Sequence, residues 1–119
     1  MASDWQEVTT AFVEPDLAGA AGGYLWATIV VPKVVLAGGT ILKDFRQRYA
    51  LTAGVAKQSD GTALMLPITE DANPEDTPIF FELQDANGRT TPIGYAVFPR
   101  PAGSDPYTAV LLSDYLTVN

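Results

Sequence analysis

Glu70, Asp71, Asn73, Glu75 and Asp76 crowd oxygen ligands into one short stretch. Asp71, Asn73 and Glu75 alternate as the ligands of a calcium loop do, with Asp76 alongside. The glycine and the distal bidentate glutamate of an EF-hand loop are missing. Paired carboxylates, Glu70 with Asp71 or Glu75 with Asp76, serve glycoside cleavage when they flank a bond from two sides. Neighbours on one loop do not stand that way. The plainer account is a solvated loop in which Asp and Asn form turns and Pro74 stiffens the path.

Other catalytic equipment is scarce. The chain has no histidine and no cysteine. Ser-His-Asp and Cys-His nucleophile systems therefore cannot be built within it, and the commonest general base is missing. Disulfides and thiolate-bound zinc are ruled out as well. The expectation is a protein without catalysis, cofactor or resident metal.

Binding chemistry is better represented. Lys43, Arg46 and Arg48 form a basic stripe that complements Glu70, Asp71, Glu75 and Asp76. If the acidic loop of one copy docks on the stripe of the next, a ring or trimer results. The competing account is an ordinary solvated strand face beside Asp44. Trp5, Tyr24, Trp26, Tyr95, Tyr107 and Tyr115 offer rings on which a glycan could stack. Trp26 and Tyr95 lie in apolar runs and are assigned to the core. Trp5 sits in a polar segment and reads as an exposed anchor on an N-terminal arm, residues 1–6, packed on a neighbouring subunit.

The elements that must position these residues follow from composition and period. At 119 residues the chain suits one domain. Hydrophobic residues make up 47%, enough for a packed core and against disorder. Fourteen acidic against seven basic residues leave a net charge of −7, which disfavours nucleic acid and anionic membranes. The most apolar stretch, Tyr24–Leu36, contains Pro32 and Lys33 and falls short of the about 20 residues that a bilayer helix needs.

Strands are expected at Glu7–Glu14, Tyr24–Val31, Ala63–Ile68, Pro78–Gln84, Pro92–Phe98 and Tyr107–Leu112, with Val34–Leu36 pairing briefly. Asp16–Gly23 reads as a small-residue loop. Tyr24–Val31 is apolar on both pleat faces, as a central strand is. Ile79, Phe81 and Leu83 point one way, and so do Ile93, Tyr95 and Val97 in their own strand. Gln58–Gly61 and Asp85–Gly88 end in Asp-Gly and Asn-Gly turns. Ile41–Thr52 fits both periods. A strand over Phe45–Leu51 puts Arg46, Arg48 and Ala50 on one side, while a short helix over Leu42–Tyr49 is the competing reading. Ser113 is a candidate cap for a final helical turn. The count is seven to eight short strands, which gives an all-β antiparallel two-sheet sandwich as a single domain over residues 1–119.

The order of motifs resembles a known family. Asp60-Gly61, Leu66-Pro67-Ile68-Thr69-Glu70-Asp71, Asn73-Pro74 and the closing run Val110–Leu116 are similar to the N-terminal β-sandwich domain of minor tail proteins and receptor-binding adaptors from phages of actinobacteria. The resemblance spans roughly Val8–Leu116. It implies a structural subunit in the virion tail, at the tail tip or baseplate, that acts by assembly with other virion proteins and as a trimer or hexamer of itself. A capsid decoration or head-to-tail accessory protein is the runner-up. A carbohydrate-binding module is the alternative from another class.

Overall fold

The computed structural model describes residues 4–10, 23–52, 54–85, 87–103 and 107–118. Its strands are β1 (Trp5–Thr9), β2 (Tyr24–Thr28), β3 (Lys33–Val35), β4 (Ile41–Lys43), β5 (Arg46–Thr52), β6 (Val55–Lys57), β7 (Met65–Pro67), β8 (Ile79–Gln84), β9 (Thr90–Ala96) and β10 (Val110–Leu111). A 3-10 turn at Leu112–Asp114 follows. The fold is all-β and sandwich-like. A five-stranded antiparallel sheet in the order β6-β5-β2-β8-β9 shares its core with a three-stranded sheet, β10-β1-β7, and the hairpin β3-β4 forms a separate ribbon. One pairing departs from the antiparallel plan: β1 and β10 run parallel, with Val8 opposite Val110.

Period two accounts for most of the interior. Leu25 and Ala27 from β2, Tyr49 and Leu51 from β5, and Ile79, Phe81 and Leu83 from β8 are buried on one face of the large sheet. Val8 and Leu66 meet them from the small sheet. Burying Phe81 or Phe98 contributes roughly 1.5–3 kcal/mol each, and both are almost fully enclosed. The segment 41–52 forms two strands, β4 and β5, separated at Asp44, rather than a helix. In strand form Tyr49 and Leu51 are buried while Arg46, Arg48 and Ala50 are exposed.

Several boundaries move. The first strand begins at Trp5, two residues before its predicted start, and residues 11–14 of the expected strand lie outside the described residues, as does 16–22 of the expected loop. Trp5 and Gln6 open β1 and Asp4 is buried directly before it, so residues 4–6 are packed within this chain rather than set apart as an arm. β2 is central but alternates: Tyr24, Trp26 and Thr28 are half-buried on the outer face, so Trp26 is not a core residue. Tyr95 is likewise outside. The register slips between Phe81 and Glu82, opposite Gly94 and Pro92, which leaves Ile93 as the extra residue of a bulge. Gly94, Ala96 and Phe98 then take the inward positions that alternation through Ile93, Tyr95 and Val97 had claimed. Gly94 has φ +144°, and a methyl there would run into the Thr117 carbonyl. Its absence lets the C-terminal segment pair with β9 through Tyr95 and Thr117, at 3.0 and 2.7 Å. The final turn starts at Leu112, and no side chain caps it, Ser113 included.

Candidate functional site

The outer face of the five-stranded sheet collects aromatic and charged side chains by register alone. Trp26 lies between Arg48 on β5 and Glu82 on β8, and Thr28 lies between Arg46 and Phe80. Flat guanidinium groups stack on the ring faces beside them. Arg46 sits 4.2 Å from the Trp26 ring centroid, and Arg48 sits 4.5 Å from that of Tyr24 and 5.9 Å from that of Trp26. The Trp26 indole N–H donates to Gln84 Oε1 at 2.7 Å, which ties the ring to β8. Arg46 also donates to Thr28 Oγ1 at 2.9 Å and meets Glu82 at 3.4 Å. Phe80 and Tyr95 pair next to this group with centroids 5.7 Å apart. Arg48 forms no ion pair with a described residue, and its guanidinium lies over the Tyr24 and Trp26 rings.

A second charged cluster lies where the segment after β9 meets the start of β1. Arg100 donates through Nε to Asp71 Oδ2 at 2.6 Å, through Nη2 to Asp4 Oδ1 at 3.2 Å, and through Nη1 to the Tyr107 hydroxyl at 3.3 Å. Its pKa is raised, chiefly by Asp71, so it stays protonated. Burial opposes ionisation of Asp4, but the Gly38 N–H at 2.8 Å, the Thr40 hydroxyl and N–H, and Arg100 outweigh it and lower its pKa. This cluster ties four distant segments together.

The acidic loop is therefore divided. Asp71 is committed to Arg100, while Glu70, Glu75 and Asp76 are exposed. Asn73 pairs with Val35 through both backbone groups, at 3.0 and 2.9 Å. Among the described residues no three carboxylates converge on a point, so the calcium set Asp71, Asn73, Glu75 and Asp76 is not assembled. Nor is the basic stripe continuous. Lys43 belongs to the β3-β4 ribbon, opposite Lys33, apart from Arg46 and Arg48. Trp5 is half-buried on the wall of a groove of about 400 Å³ between β5 and β7.

Two features escaped sequence reasoning. Asp4 and Arg100 stand 96 residues apart, and nothing local pairs them. Gln6 is buried, donates to Thr108 O at 2.8 Å and Glu7 O at 2.9 Å, and its Oε1 has no donor among the described residues, beside a pocket of about 210 Å³. The aromatic bed could have been found. Tyr24, Trp26 and the pair Arg46, Arg48 each repeat at period two, and an antiparallel pairing of those two strands brings them together.

No family model, curated protein or solved structure matches the chain. The tail-protein resemblance thus rests on the order of motifs within this sequence.

Proposed function

We propose that the chain is a non-catalytic assembly subunit that binds a second copy of itself through the arginine–aromatic face of its large sheet. The observation that carries this reading is the row Arg48–Trp26–Glu82 with Tyr24 and Arg46 around it. Trp, Tyr and Arg dominate the energetically decisive centres of protein interfaces: the rings bury large area with few rotors, and the planar guanidinium stacks on them and donates from a fixed fork. The occupant follows from charge. Arg48 lacks a carboxylate partner among the described residues, and Glu70, Glu75 and Asp76 stand exposed on the loop of each copy. A contact between two different patches repeats head to tail and closes into a ring when the rotation allows. The virion tail setting is supported by the resemblance, which also implies neighbouring virion proteins as further partners.

Light scattering coupled to size exclusion tests the reading. The wild-type chain should run as a discrete trimer or hexamer. Arg48→Glu should reduce it to monomer with an unchanged circular dichroism spectrum. The charge-swapped pair Arg48→Glu with Glu75→Arg should recover assembly. A monomeric wild type, at all concentrations, overturns self-association.

A further inference from the structure

We propose that the groove between β5 and β7 is a binding site for a neutral saccharide. It adjoins the assembly face, with which it shares Arg48, and is built from other side chains. Its volume, about 400 Å³, lies within the range of small-molecule sites and fits one or two sugar rings. Trp5, Phe45 and Tyr49 contribute rings, and Gln47, Gln58 and Asp60 contribute polar groups. This combination matches a pyranose. Its C–H faces pack on aromatic carbon, and its ring of hydroxyls needs donors and acceptors side by side.

The polar groups are set by local structure. The turn after β6 is closed by Gln58 N–H to Thr62 O at 3.0 Å and Gly61 N–H to Gln58 O at 2.8 Å. Thr62 then anchors both polar side chains of that turn. Its N–H donates to Asp60 Oδ1 at 3.0 Å, and its hydroxyl accepts from Gln58 Nε2 at 3.1 Å. One Asp60 oxygen is thereby held and the carboxylate stays ionised, its pKa lowered chiefly by Thr62. Tyr49 supplies the opposite character. Burial pushes its hydroxyl up to about 12, so it is a neutral donor, and it bonds to no described residue. The Gln47 amide is exposed and equally without a described partner.

Charge selects the class of ligand. Arg48 lines the groove, but its guanidinium is stacked on Tyr24 and Trp26, which leaves Asp60 as the ionised side chain held by the groove's own turn, in a chain whose net charge is −7. An anion would meet Asp60 and the net negative charge of the chain. An uncharged polyol meets donors and acceptors alone.

The chain's two tryptophans make the test self-controlled, because Trp5 lines the groove and Trp26 lies on the outer face. Titrations with maltotriose, cellotriose and chitotriose would be followed by the two indole N–H signals in ¹H–¹⁵N spectra. The expected result is a saturable shift of the Trp5 signal with at least one trisaccharide, a stationary Trp26 signal, and binding weakened about tenfold in Gln47→Ala by loss of one hydrogen bond. Three results each overturn the site: no saturable Trp5 shift with any of the three sugars, a Trp26 shift in place of the Trp5 shift, or unchanged binding by a folded Gln47→Ala variant. Replacement of Gln47, exposed and outside the core, keeps the fold as its own control.

Discussion

The two faces of the five-stranded sheet carry similar amounts of aromatic carbon for opposite purposes. Inside, Phe81 shares one core cluster with Leu25, Leu51 and Phe98, a set of residues with almost no solvent exposure and no charge. Outside, Phe80, Trp26, Tyr24 and Tyr95 stay half-buried; arginines cover Trp26 and Tyr24, and Phe80 and Tyr95 pack on each other. The inner face gains stability from close packing, because each ring is surrounded on all sides. The outer face gains little for the fold, since stacked guanidinium groups remain hydrated. What it gains is a preformed, rigid array of donors over rings. The contrast separates residues that make the domain fold from residues that the folded domain presents.

Adjacent residues give the largest and cleanest separation. Phe81→Ala should destabilise the domain by about 3–5 kcal/mol, the usual cost of truncating an enclosed phenylalanine. Phe80→Ala, one residue away on the opposite face, should cost about 1 kcal/mol, mostly the lost edge contact with Tyr95. Urea unfolding of the two variants, at equal slope, measures both. Equal penalties would mean that the outer face is as tightly packed as the core, and the contrast would collapse.

The Arg100 cluster falls between these extremes. Asp4 is nearly enclosed, with its side chain 7% exposed against 22% for that of Arg100. Arg100→Met leaves that carboxylate short of a cation and should cost about 2–4 kcal/mol at neutral pH. Asp4 titrates lower in the folded chain than its ordinary 3.8. Its ionised form therefore stabilises the fold above about pH 4, and the stability is lost as pH falls through the depressed folded value. The gap between wild type and Arg100→Met should accordingly narrow in acid. A penalty that stays constant from neutral pH down to acid would assign the effect to packing of the arginine stem instead.

How much of this could be read from residues alone varies with the distance involved. Alternation within single strands placed Ile79, Phe81, Leu83, Tyr49 and Leu51 inside, because burial on one pleat face is written locally. The same rule misplaced Tyr95 because one bulge at Ile93 shifts the phase, and a bulge belongs to a pair of strands rather than to one. Trp26 was assigned inward because YLWATIVV is apolar throughout; its outward position depends on which neighbour supplies an arginine across the ladder. The basic pair Arg46 and Arg48 was recognised, but its stacking on Tyr24 and Trp26 and the separation of Lys43 are properties of the sheets. The division of the acidic loop by Arg100 had no local signal at all.

The smallest effect tests the outer face most directly. A double-mutant cycle of Arg48→Met with Tyr24→Leu should give a coupling of about 0.5–1 kcal/mol in the isolated domain, the range of an exposed cation–π pair. Arg48→Met alone should change stability by less than about 1 kcal/mol, as surface substitutions do. Coupling well above that range would make the stack a structural device, akin to the Arg100 cluster. Coupling near the expected value leaves the domain nearly indifferent to Arg48. The benefit of holding a guanidinium over two rings would then appear in the bound state, where exclusion of water strengthens each contact. The same cycle measured on assembly should therefore exceed the one measured on folding, and that inequality is what an interface requires of this face.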